Sequence, residues 1–343
     1  MCGVIGLVFE KHRDDLGHVA GELLRQLEYR GYDSTGAAVQ GEGTEVRLRK
    51  GVGAPSVLVE DLGIVDMAGS ILCGQVRWAT FGAVDELNAQ PHEMRCKVHL
   101  YGAHNGNVTN CDDLKRWLLE EGHDVKSDND GEMVVHTVEH LFARELDALP
   151  AAAREEPDER RAAMRKAVSG AASRLRGSYS AVIVDPVSRV VWAIKRGSSL
   201  YFGFGGFGGL GGHGGAGGGG GEVGRGGAFG IASSDLSAVL RLTRVLLPLA
   251  EGEFVEFDAR AARVYRLGEK GGAPTPLERT PVRSRLRAKD TALVPPFETF
   301  MDQEISAQQR TCSDVVRMFL GGSEAVRALR PVLDEGGDEE RAR

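Results

Sequence analysis

Residues 179–194 read YSAVIVDPVSRVVWAI, two apolar runs flanking Asp185-Pro186-Val187-Ser188. Runs rich in β-branched residues on either side of such a turn form a hairpin, and a second one is expected from EGEFVEFD (251–258) and ARVYRL (262–267). Around them lie further elements. GVIGLVF (3–9) and GAAVQ (36–40) read as buried strands, and Asp14–Tyr29 between them places Leu16, Val19, Leu23, Leu24 and Leu27 at helical spacing. Helices are expected over Asp112–Gly122 and Asp130–Leu146, and Ala151–Val168, dense in Ala, Arg and Glu, reads as a solvated helical insertion. FGIA (229–232) is a strand, Ser234 and Asp235 cap a helix running to about Leu247, and a last amphipathic helix, Val315–Leu329, is interrupted by Gly321-Gly322. Residues 203–227 are nearly all glycine and read as an expanded loop between strands. Strands and helices in blocks fit a layered α/β or α+β architecture.

Bulk properties narrow the function. A formal charge of -7 and a pI near 5.8 argue against a nucleic-acid surface. No apolar run approaches the roughly 18 residues of a membrane span. The N-terminal apolar run ends at Phe9, where Glu10, Lys11, His12 and Arg13 follow, so a secretory signal is not expected and the cytoplasm is. Cys2, Cys73, Cys96, Cys111 and Cys312 are odd in number with no CxxC, which suits neither a disulfide framework nor a zinc ribbon. Small molecules or proteins are left as the expected ligands.

Cys2 stands directly behind the initiator methionine. Removal of Met1 would leave a thiol beside a free α-amine of pKa about 7.7 to 8.0, so nucleophile and base would share one residue. Five further stretches follow in order: LEYRGYDSTGAAV (27–39), GQVRWATFG (74–82), NAQPH (88–92), HNGNVTN (104–110) and SDNDGE (127–132). Together with MCGVIG they resemble the glutaminase domain of class II glutamine amidotransferases, most of all that of the glutamine:fructose-6-phosphate aminotransferase (glucosamine-6-phosphate synthase) family. The likeness continues through RGSYSAVIVD, RGSSLYFGFG, FGIASSDLSAVL and EGEFVEF, and PFETFMDQEI resembles the family's linker, so it spans residues 2 to about 310.

The resemblance implies an α+β, N-terminal-nucleophile hydrolase fold, a four-layer αββα sandwich. It implies a glutaminase domain over 2–290, and over 291–343 a linker with either the start of an isomerase half or a partner-docking tail. It implies Cys2 as nucleophile, with the Asn105 side-chain amide and the Gly106 N–H as oxyanion donors, and Arg77, Thr80, Gly82 and Asp130 around L-glutamine. Arg30, Asp33 and Trp78 would support the site. The implied activity is glutamine hydrolysis supplying ammonia to a sugar-phosphate isomerase domain or subunit, with oligomer formation allowed and with no cofactor and no metal. Taken singly, Arg77 or Asp130 would be a surface ion pair and Asn105-Gly106 a turn; their ordered set carries the reading.

Departures are local. Phe81 and Gln75 stand where the family pattern has histidines, and Gln90 replaces the central histidine of NAHPH. Two other classes compete. His136-Thr137-Val138-Glu139-His140 satisfies an inverted zinc-peptidase pattern, HxxEH, but lacks an identified third ligand. A non-catalytic glutamine-sensing or regulatory module is the second alternative, against which stands the retention of Cys2, Arg77, Asn105, Gly106 and Asp130.

Overall fold

The computed structural model describes residues 2–206 and 227–320. The glycine-rich tract lies mostly outside them, as does the last part of the C-terminal helix expected from sequence. In chain order come β1 (Gly3–Arg13), α1 (Leu16–Gln26), β2 (Ser34–Gln40), β3 (Val46–Val52), α2 (Pro55–Asp61), β4 (Gly69–Arg77), β5 (His92–Met94) and β6 (Leu100–Val108). They are followed by α3 (Cys111–Glu120), α4 (Asp130–Asp147), α5 (Pro157–Arg174), β7 (Gly177–Asp185), β8 (Val190–Arg196) and β9 (Tyr201–Gly205). The described chain closes with β10 (Phe229–Ser233), α6 (Leu236–Leu242), β11 (Val245–Leu247), β12 (Glu253–Phe257), β13 (Ala262–Arg266), β14 (Thr275–Leu277), β15 (Val282–Arg283) and α7 (Phe300–Leu320).

The strands form two antiparallel sheets, ordered β15-β11-β9-β10-β1-β4-β2-β3 and β14-β13-β12-β8-β7-β6-β5. Side chains alternate across each strand, and the alternation assigns the layers. On β1, Ile5, Leu7 and Phe9 pack with Leu16, Leu23 and Val239 of α1 and α6, whereas Val4 and Val8 join Val182, Val184 and Val191 of the other sheet. On β7, Tyr179, Ala181 and Ile183 face Val134, Val138 and Phe142 of α4 and Ala167 and Ala171 of α5. Helices, sheet, sheet, helices is therefore the order, an αββα sandwich. The sheets come close enough at their centre that a Cβ on Gly6 would lie 2.6 Å from Val182 Cγ1, a contact only glycine avoids.

Three expectations are corrected. Ala151–Val168 is not a solvated insertion: α5 begins at Pro157 and buries Ala163, Met164, Ala167, Val168 and Ala171 in the core against sheet and α4. The helix after Asp235 stops at Leu242, and Val245–Leu247 leave it to pair with β9. The C-terminal helix starts at Phe300, not Val315.

The buried polar group of α5 yields a stability test. Arg160 and Asp185, 2% and 0% exposed at their side chains, form two parallel hydrogen bonds of 2.8 Å, and Asp185 also accepts the Val187 and Ser188 amides that close the β7–β8 turn. Removing one partner strands the other charge in the interior, so Asp185→Ala should lower the unfolding free energy by about 3–5 kcal/mol in urea denaturation. A loss below about 1 kcal/mol would show that the pair is not a buried determinant of the fold.

The chain divides after Asp290 into two compact units, Met1–Asp290 and Thr291–Arg343. In the second, α7 leaves Met301, Ile305, Val315 and Val316 at least half exposed. Among the described residues no helix is long and apolar enough to cross a membrane.

Candidate active site

Cys2 enters β1 one residue before the Gly3–Val76 pairing, which sets it beside the end of β4. There its Sγ lies 3.4 Å from both the backbone N–H and the carbonyl oxygen of Trp78. The residue is 7% exposed. Burial pushes the thiol above its usual range, while the Trp78 amide and the Arg77 charge pull it down and the Asp130 charge pushes it up. The nucleophile candidate thus feels both the cation and the anion expected to hold glutamine.

Asp130 is the first residue of α4, where an acid suits the helix N-terminus. Its Oδ2 accepts the Val108 amide at 2.9 Å and meets His104 Nε2 at 3.1 Å. Burial opposes its charge, but His104 and the Val108 N–H outweigh it and hold the carboxyl below its usual range. His104 is steered in turn by Gln90, whose Oε1 accepts the His104 amide at 2.8 Å and whose Nε2 lies 3.2 Å from Nδ1. Gln90, read from sequence only as a departure, is therefore a positioning residue one step behind Asp130. Nothing in the sequence pairs the three.

Asn105 and Gly106 lie on β6, the strand that also carries His104 and Val108. Asn105 is 3% exposed, and its side-chain amide makes no hydrogen bond to another described residue. Gly106 has φ +142°, and a Cβ there would lie 2.1 Å from the Ser178 carbonyl oxygen. Glycine is required by that conformation and by the closeness of β7. Asn105 and Gly106 stay in register with β7, opposite Ser180 and Tyr179.

Arg77 does not stand as a free cation. It is 1% exposed and donates to the carbonyls of Phe81, Gly82 and Ala83, so it braces the loop that contains Thr80 and Gly82. Thr80 and Gly82 are exposed on that loop, while Phe81 is partly buried against the core. The loop is also tied to its neighbours. Asn88 is bonded through Oδ1 to the Asp128 amide and through its N–H groups to Asp85. The supporting residues are placed as follows. Asp33 Oδ2 accepts the Ala79 amide at 2.7 Å, holding the strand end that carries Trp78. Arg30 and the Tyr29 hydroxyl both bind Asp235, the N-cap of α6. Asp235 was read from sequence as a helix cap alone; its second role, 205 residues from Arg30 in the chain, has no local signal. Trp78 is 43% exposed, with its ring 5.4 Å from that of Tyr32, and so is not a packed core tryptophan.

Comparison with known proteins follows this geometry. No protein-family model matches the chain. Among solved structures it superposes on glutamine phosphoribosylpyrophosphate amidotransferase from B. subtilis, complexed with ADP and GMP, with a TM-score of 0.56 at 17% identity, covering 78% of this chain and 50% of that one. It also superposes on the allosteric regulatory enzyme of purine biosynthesis, with a TM-score of 0.57 at 19% identity, covering 78% and 49%. The fold is that of the N-terminal-nucleophile glutamine amidotransferases, class II. Within that class the sequence is similar to the glutamine–fructose-6-phosphate aminotransferases (isomerizing). That of Thermococcus kodakarensis is 30% identical over 333 residues, 96% of this chain and 46% of the relative, and that of Aeropyrum pernix 29% identical over 346 residues, 98% and 49%. The chain spans about half the length of the curated relatives it matches.

Proposed function

We propose that the chain hydrolyses L-glutamine to glutamate and ammonia, and that the ammonia serves amination of a sugar phosphate, fructose 6-phosphate in the relatives' name, on an isomerase domain or subunit in the cytoplasm. Removal of Met1 frees the α-amine of Cys2, which takes the thiol proton. The thiolate attacks the side-chain carbonyl carbon, and the Asn105 amide and Gly106 N–H receive the negative oxygen. The C–N bond breaks, ammonia leaves with that proton, and water then cleaves the thioester to release glutamate. Asp130 pairs with the α-ammonium of glutamine and Arg77 with its α-carboxylate, the carboxylate taking the place of loop carbonyls that Arg77 now holds. Thr80 and Gly82 line the pocket, and Arg30, Asp33 and Trp78 order its walls. The second unit, 291–343, is the linker and docking element for the isomerase partner, in keeping with the exposed apolar residues of α7.

The observation that carries the reading is the buried Cys2 thiol on a strand end, 3.4 Å from the Trp78 backbone and within the fields of both Arg77 and Asp130. The test is an assay of the purified chain with L-glutamine. Equal amounts of glutamate and ammonia are expected. Folded protein that binds glutamine yet releases no glutamate would favour the sensing module instead.

A further inference from the structure

The HxxEH segment was set aside for want of a third ligand, and the fold supplies two. Cys96, in the connection between β5 and β6, and His123, after α3, meet His136 and Glu139 of α4, and one ligand atom from each lies within 4.8 Å of all the others. We propose that these four residues bind a structural divalent ion of the zinc type, a site separate from the glutaminase centre and independent of the function proposed for it.

The chemistry of the set fits. One thiolate and one carboxylate balance a divalent charge, two neutral imidazoles complete four ligands, and a site filled by four protein ligands has no open position for catalysis. Both rings turn the same nitrogen to one carboxylate oxygen. Nδ1 of His123 and Nδ1 of His136 lie 3.1 and 2.9 Å from the same Glu139 oxygen, Oε2. Their outward nitrogens face further groups: Nε2 of His123 is 3.1 Å from His140 Nδ1, and Nε2 of His136 is 3.6 Å from Glu132 Oε1. His123 is held as metal-bound histidines are, with its second nitrogen against another polar group. Nε2 of His136 is buried and has no hydrogen-bond partner in the bare cluster. The other ligands are likewise braced: Glu139 Oε1 accepts the Lys97 amide at 2.8 Å, and Cys96 Sγ accepts the Asp124 amide at 3.3 Å. Without an ion, His123, His136 and Glu139 remain buried polar groups gathered at one place. An ion would clasp three segments, among them the helix whose first residue is Asp130.

The purified full-length chain, kept reduced, is to be analysed for metals and then titrated with zinc and with cobalt. About one zinc per chain is expected, with a rise in denaturation temperature on zinc addition that a chelator reverses. Cobalt should give tetrahedral d–d bands and a thiolate charge-transfer band. Cys96→Ser should remove the charge-transfer band, and Cys2→Ala should leave it. Folded wild-type protein that takes up neither metal stoichiometrically would overturn the proposal, whether or not the variants fold. So would a thiolate band that survives Cys96→Ser.

Discussion

Cys2→Ala is expected to abolish glutamate release, by at least about 1,000-fold, since removing the nucleophile leaves only the binding and oxyanion groups to act on the amide. The fold should survive. The thiol's polar contacts are two 3.4 Å approaches to the Trp78 backbone, and β1 is held by pairing with both β4 and β10. Truncating one sulfur in a buried site should change the denaturation midpoint little, which can be followed by circular dichroism on the same sample. A variant that keeps wild-type turnover would remove Cys2 from the chemistry.

The second large effect is expected at Asn105. The residue is 3% exposed and its side-chain amide donates to no described residue, so on the proposed mechanism it serves the charge that appears during reaction. Asn105→Ala should lower kcat by about 100- to 1,000-fold with KM for glutamine little changed, the signature of a donor that acts in the transition state. Asn105→Asp, which keeps the shape and turns donor to acceptor, should do no better. An increase confined to KM would make Asn105 a ground-state binding residue.

How much of this the sequence disclosed follows from what each segment is asked to do. The hairpin β7–β8 and strands β1 and β2 are nearly continuous apolar runs, and their pattern survives intact. β4 and β6 are not legible as strands because Gln75 and Arg77 on one, and His104, Asn105, Gly106 and Asn107 on the other, interrupt the apolar pattern. The strand pattern is masked there by the same residues that the motifs single out. α5 is not legible as a core helix because alanines line its buried face, and a stripe of small residues beside arginines resembles a solvated helix. The site's long-range partners had no local signature at all. Gln90 behind His104, Asp235 against Arg30, and Cys96 with His123 beside Glu139 meet only when loops far apart in sequence are brought together by the sheets.

The most direct measurement is intact-mass spectrometry before and after exposure to 6-diazo-5-oxo-norleucine, a glutamine analogue that alkylates activated thiols, followed by mapping of the N-terminal peptide. The expected result is a mass lacking one methionine and gaining one adduct on Cys2, blocked by excess glutamine. Retained Met1, or a folded chain whose Cys2 stays unlabelled while glutamine is bound, would contradict catalysis by an N-terminal thiol.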